Sequence, residues 1–91
     1  MSKPKPRLVE FDKFLIIECT RDQFQEATGG PGICDTCARL SQKGYYIAVL
    51  NRWMCPECFV QWKSYARWYP EDADIERKNF NFYAPRFGLK C

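Results

Sequence analysis

Three features predict a small α+β domain cross-linked through its own cysteines. Two C-x-x-C pairs, Cys34-Asp35-Thr36-Cys37 and Cys55-Pro56-Glu57-Cys58, are separated by seventeen residues. Strand-like segments rich in aliphatic and aromatic residues precede each pair, Val9 to Cys19 and Tyr45 to Leu50. After the second pair, Phe59, Trp62, Ala66 and Tyr69 recur at helical spacing and share one face. With 46% hydrophobic and 16% aromatic residues, the chain is too apolar to stay disordered, and its 91 residues leave room for one core.

The elements follow in order. Residues 1–7, with Lys3, Lys5 and Arg7 between prolines, form a flexible basic arm, and residues 8–91 form a single domain. Val9, Phe11, Leu15, Ile17 and Cys19 fall on odd positions, with Glu10, Asp12 and Glu18 between them. This alternation predicts one or two half-buried strands, an N-terminal strand or hairpin broken near Asp12-Lys13. Thr20 with Gln23 is a capping box that opens a short helix running to about Ala27. Gly29-Gly30-Pro31-Gly32 ends that helix and delivers Cys34 as a loop. Tyr45–Leu50 is the next strand, returning through Asn51-Arg52 and Trp53-Met54 as a hairpin. Pro56 suits a first helical position, so Cys55 opens a helix that runs to about Trp68 and stops before Pro70. A short C-terminal helix starts at Pro70, with Glu71, Asp72 and Asp74 in its first turn, Glu76 in the same helix-start charge cluster, and Arg77 and Lys78 in its last turn. The aromatic stretch from Phe80 to Phe87 is extended and folds back over the core.

The two cysteine pairs have metal-site spacing. In a C-x-x-C knuckle, the backbone N–H groups point at the sulfurs, and two knuckles supply four thiolates to one tetrahedral ion. The expected cofactor is one structural Zn²⁺ held by Cys34, Cys37, Cys55 and Cys58. Cys55 and Cys58 gain further stabilisation from the N-terminus of their helix. At this chain length a hydrophobic core alone supplies about 3–5 kcal/mol. A structural zinc adds an apparent folding energy of about 10–16 kcal/mol. The metal is therefore expected to be a condition of folding.

Knuckle, strand-rich hairpin, then a second knuckle opening a helix: over residues 33–69 the chain resembles the treble-clef zinc-finger group, including GATA-type fingers and the halves of LIM domains. The resemblance implies a zinc-stapled, treble-clef-like core over 33–69, with the four cysteines as ligands. It does not carry over DNA contacts. GATA-type fingers have Thr-x-Leu-Trp-Arg-Arg in the strand and Asn-Ala-Cys-Gly at the second knuckle, where this chain has Tyr46-Ile47-Ala48-Val49-Leu50 and Pro56-Glu57-Cys58-Phe59.

Rival uses of the cysteines fit less well. A thioredoxin-like redox motif needs βαβ crossovers, and only 33 residues follow Cys58. A six-cysteine disulfide framework belongs to secreted chains. The basic start here leads into no apolar signal segment, so a reducing cytoplasmic setting without a membrane span is expected. Cys19 is then a small buried core residue, and Cys91 a free exposed thiol. The acidic run at Asp72, Asp74 and Glu76 lacks the glycine and distal glutamate of a calcium loop.

Catalysis is not expected. The chain has no histidine, no phosphate-cradling loop and no open metal position. The formal charge of +3 drops to about +1 once Zn²⁺ and four thiolates are counted. The composition thus favours a protein-interaction module, a small adaptor or inhibitor that docks on a partner protein by an aromatic surface. The candidate anchors are Tyr45, Trp53, Trp68, Tyr83 and Phe87. The alternative is a nucleic-acid-binding zinc finger, with the arm and Arg39, Lys43, Arg52, Lys63 and Arg67 on phosphates and aromatics stacking on bases. No small-molecule substrate is evident.

Overall fold

In the computed structural model, which describes residues 5–30 and 32–88, one four-stranded antiparallel sheet is covered on both faces. The strands run β1 (Arg7–Phe11), β2 (Phe14–Thr20), β3 (Lys43–Ile47) and β4 (Arg52–Met54), and lie in that order. Three helices accompany them: α1 (Arg21–Thr28), α2 (Pro56–Lys63) and α3 (Ala73–Tyr83). Single 3₁₀ turns, Pro70–Asp72 and Ala84–Phe87, flank α3. The small α+β class is as expected, and none of the described helices is long and apolar enough to cross a membrane.

The β1–β2 hairpin turns through Asp12, at φ 52°, and Lys13. This turn changes the meaning of the alternation. Cross-strand partners are Arg7 with Glu18, Val9 with Ile16 and Phe11 with Phe14, so odd positions of β1 share a face with even positions of β2. Val9 and Phe11 therefore lie on the opposite face from Leu15, Ile17 and Cys19. A single odd-position inner face is corrected to two strands with opposite parity, because a two-residue turn pairs odd with even. Phe14 and Ile16 break the alternation for the same reason: β2 is central and buried on both sides.

Each face has its own apolar cluster. Ile17, Cys19, Tyr46 and Trp53 pack on one side beneath Phe24 and Ala27 of α1, and Phe80, Ala84 and Phe87 from the C-terminal segment. Phe14, Ile16, Ile47 and Met54 pack on the other beneath Cys34, Cys55, Phe59 and Trp62. The single core expected from chain length is thus divided by the sheet into a helical layer and a cysteine-bearing layer.

Local signals explain most boundaries. Thr20 Oγ1 accepts from Gln23 N at 3.2 Å and Gln23 Oε1 accepts from Thr20 N at 2.8 Å, completing the predicted capping box. Gly29, at φ 73°, ends α1 by donating to Gln25 O. The β3–β4 connection is longer than the Asn51-Arg52 turn expected. β3 stops at Ile47, Ala48–Asn51 make the turn, Asn51 takes φ 53°, and Arg52 already belongs to β4. Tyr46 Oη donates to Asn51 Oδ1 at 2.7 Å and holds that turn.

Two helices differ from expectation. α2 ends at Lys63, not near Trp68: Ser64 Oγ donates back to Gln61 O at 2.6 Å, and the chain leaves the helix axis. Trp62 is buried as expected, Ala66 is half-buried, and Tyr69 is exposed, outside the shared face. α3 is longer than expected and takes in Phe80–Tyr83; the tail folds back over the core, as expected, but helically. The reason is its apolar stripe: Phe80, Ala84 and Phe87 recur at helical spacing and all are buried.

Glu76 lies on that stripe. It is the one buried charged residue among those described, where a solvated helix-start charge was expected. Its carboxylate accepts from Leu15 N and from Trp68 Nε1, both at 3.0 Å, and so joins α3 to β2 and to the loop after α2. Glu76→Ala is expected to destabilise by about 1–3 kcal/mol for each donor left buried without a partner, with Glu76→Gln milder because its amide oxygen still accepts one bond. Urea melts of the two variants check this ordering.

Candidate metal centre

The chain reaches the centre by crossing from one face of the sheet to the other. After α1, the segment ending in Gly32 brings Ile33 and Leu40 into a small antiparallel bridge that encloses the first knuckle. Within it Cys34 N donates to Arg39 O at 3.0 Å and Ala38 N to Cys34 O at 2.9 Å, with Ala38 at φ 62°. Asp35 then fixes the knuckle to the edge of β4. Its backbone N donates to Trp53 O, and its Oδ2 accepts from Trp53 N, both at 2.9 Å. One aspartate thereby satisfies both polar groups of an edge-strand residue and closes that edge.

The second knuckle is the start of α2. Cys55 is its N-cap and Pro56 its first residue; Cys58 lies in the first turn. β4 delivers Met54 and Cys55 directly from the sheet, so the β3–β4 hairpin spaces the two knuckles. This knuckle, hairpin and helix order is the treble-clef-like arrangement expected, with a helix that ends at Lys63.

Cys34, Cys37, Cys55 and Cys58 bring their four Sγ atoms within 4.8 Å of one another, a cluster that could hold one metal ion. Cys37 Sγ lies 3.7 Å from Cys55 Sγ. A tetrahedral zinc with bonds of about 2.3 Å separates its sulfurs by about 3.8 Å, so these residues fit the ion. Thr36 N donates to Cys34 Sγ at 3.4 Å, as a knuckle amide does for a thiolate. Four sulfurs complete a tetrahedral shell.

The acidities point the same way. Burial raises the Cys34 thiol, but backbone N–H groups of Cys55, Cys37 and Thr36 and the Cys37 thiol outweigh it and bring it to about 6. Burial pushes Cys55 and Cys58 up, and Cys58 is raised further by the side chains of Cys37, Cys55 and Cys34. Without a cation, the cluster favours one thiolate hydrogen-bonded by its neighbours. A divalent ion reverses that balance by stabilising all four negative sulfurs together.

The other described cysteine is unlike these. Cys19 is buried, as expected, in the apolar cluster on the opposite face of the sheet, away from the four sulfurs, and burial raises its thiol to about 12. Cys91 lies outside the described residues.

The expected partner-binding residues are scattered. Trp53 is 0% and Phe87 6% exposed; both are core and neither can anchor a partner. Trp53 is the middle of the helical-layer cluster, stacked on Phe24 at 5.0 Å, and Phe87 seals the same cluster beside Tyr46. Tyr45, Trp68 and Tyr83 are half-buried: Tyr45 stacks on Phe59 at 4.0 Å, Trp68 is tied to Glu76, and Tyr83 meets Tyr46 edge-on. Lys63 is half-buried over the Phe59 ring, whereas Arg52 and Arg67 are exposed.

Sequence reasoning missed the exposed apolar residues beside the metal cluster. Leu40, Val60 and Tyr65 are 68%, 62% and 70% exposed. Leu40 and Pro56 line one shallow groove between the first knuckle and α2, and Pro56 and Val60 line its continuation along α2. The only signal in the sequence is that Val60 falls off the Phe59–Trp62 face, and single exposed apolar residues are common on protein surfaces.

No protein family, no curated protein and no solved structure matches this chain. The cysteine geometry defines the class: a small α+β domain with a four-cysteine cluster that could hold one metal ion, consistent with a zinc finger.

Proposed function

We propose that this chain is a structural-zinc, non-enzymatic protein-interaction module, a small adaptor or inhibitor that docks on a partner protein. The observation that carries the reading is the apolar strip of Leu40, Pro56 and Val60 on the outer side of the layer that the zinc would staple. Apolar side chains held in water on a rigid element are what an interface core is made from. A closed four-sulfur shell supports a structural role for the metal, since no position remains for water or substrate.

The cations favour a protein partner over nucleic acid. Arg7 and Lys43 both meet Glu18, at 2.8 and 3.5 Å, and Arg39 meets Glu57 at 3.5 Å. Burial opposes ionisation of Glu18, but bonds from Arg7 and Tyr45 and the charges of Lys43 and Arg7 hold its carboxyl below the ordinary carboxylate range. Lys13, Lys63 and Arg86 lie over aromatic rings. Among the described residues, the phosphate-contact candidates Lys5, Arg52 and Arg67 are exposed with neither arrangement, fewer than a backbone-tracking surface uses.

The test is a tagged pull-down from native lysate with and without nuclease, repeated with Val60→Glu. The reading predicts a partner that survives nuclease and is lost with Val60→Glu while the melting temperature stays unchanged. Capture that depends on intact nucleic acid, and that collapses from low to moderate salt, would overturn it in favour of the nucleic-acid reading.

A further inference from the structure

The four sulfurs of the candidate centre are not equivalent. Cys34 and Cys55 are buried, part of the apolar cluster that includes Phe59 and Trp62. Cys58 is half-exposed and Cys37 is exposed. Hydrogen bonding distinguishes Cys34 in the same direction. Cys34 Sγ accepts the backbone N–H of Thr36 at 3.4 Å. Such a bond withdraws charge from a thiolate and lowers its nucleophilicity. Cys37 has the greatest solvent access of the four.

We propose that Cys37 is the reactive thiolate of the metal centre, the site at which small electrophilic oxidants such as hydrogen peroxide enter and eject the ion. The proposal rests on zinc binding by the four cysteines. In the first step the Cys37 thiolate attacks one peroxide oxygen. An S–O bond forms, the O–O bond breaks and hydroxide leaves, giving a sulfenic acid. In the second, the Cys55 thiolate, 3.7 Å away, attacks the Cys37 sulfur. An S–S bond forms, the S–O bond breaks and a second hydroxide leaves. The two thiolates lose two electrons, peroxide gains them, and protonation of the two hydroxides gives water. Zinc is left with two of its four ligands and dissociates. Because Cys55 is also the N-cap of α2, the disulfide shifts the start of that helix and loosens the layer carrying Leu40 and Val60. Oxidation then acts on the proposed docking strip through the metal.

The experiment uses the full chain with Cys91→Ser, which removes the cysteine outside the described residues. Zinc content is measured first; a chain without zinc fails the metal reading itself, before reactivity is at issue. The zinc-loaded protein then receives limiting N-ethylmaleimide or limiting hydrogen peroxide, with released zinc followed by a chromogenic chelator and products mapped by peptide mass spectrometry. The proposal predicts that singly alkylated protein carries its label on Cys37. It also predicts that the first disulfide contains Cys37 and that one zinc is released per disulfide. Cys37→His keeps a ligand at the position without a thiolate, and should bind zinc yet release it more slowly under peroxide. First modification at Cys34, Cys55 or Cys58, or equal labelling of all four, would overturn the proposal, as would unchanged release from Cys37→His.

Discussion

Cys34→Ser is expected to cost the protein its cooperative fold at room temperature, whereas Cys91→Ser should leave the melt unchanged. Cys34 contributes twice. It supplies one of four sulfurs to the proposed zinc site, and its side chain is buried within the sheet's cysteine-bearing layer. The zinc contribution of about 10–16 kcal/mol is as large as the whole net stability of a small domain, about 5–15 kcal/mol. The effect should not stop at one layer. β3 and β4 send alternate residues to opposite faces, Tyr46 and Trp53 to one, Ile47 and Met54 to the other. Asp35 of the first knuckle also completes the hydrogen bonds of Trp53. Loosening the knuckles therefore frees β4, and β4 carries the centre of the opposite core. Circular dichroism melts, with near-ultraviolet signal from the buried tryptophans, would report one loss rather than two.

Trp53→Ala should destabilise by about 3–5 kcal/mol, the largest single effect expected away from the cysteines. Its indole is fully buried between Phe24 and the sheet and lies directly over Gly44. A Cβ at Gly44 would sit 2.4 Å from the Trp53 ring, so glycine is required there by space and not by backbone angle. Among the described residues, Trp53 Nε1 has no hydrogen-bond partner of good geometry, and the Cys19 sulfur beside it is a weak acceptor. The indole is thus held by packing, and Trp53→Phe should cost clearly less than Trp53→Ala. Denaturant unfolding of the two variants measures the difference. A near-silent Trp53→Ala would return this residue to the candidate docking surface.

Much of the fold is legible from local chemistry. Thr20 and Gln23 specify a cap, Pro56 a helix start, and Asn51 a left-handed turn, because each is a short-range interaction that a few residues decide. The two C-x-x-C pairs specify the metal cluster for a related reason: the ligand spacing encodes the geometry. Long-range packing was less legible. Trp53 and Phe87 have the composition of interface anchors, and only the placement of α1 and the C-terminal segment makes them core. Glu76 read as a helix-start charge until its spacing to Phe80, Ala84 and Phe87 is compared with donors brought from β2 and Trp68. The opposite parity of β1 and β2 was hidden because a two-residue turn preserves apparent alternation while reversing its meaning. The early end of α2 follows from Ser64 and from the tie between Trp68 and Glu76, which no local pattern announces.

The central claim is that one zinc held by four cysteines staples the knuckles to the sheet. Native mass spectrometry of protein purified under reducing conditions, paired with a thermal melt before and after chelation, tests it most directly. The account predicts one zinc per chain and loss of the cooperative melt on its removal. A chain that carries no metal, or that melts at the same temperature with and without chelator, would contradict it.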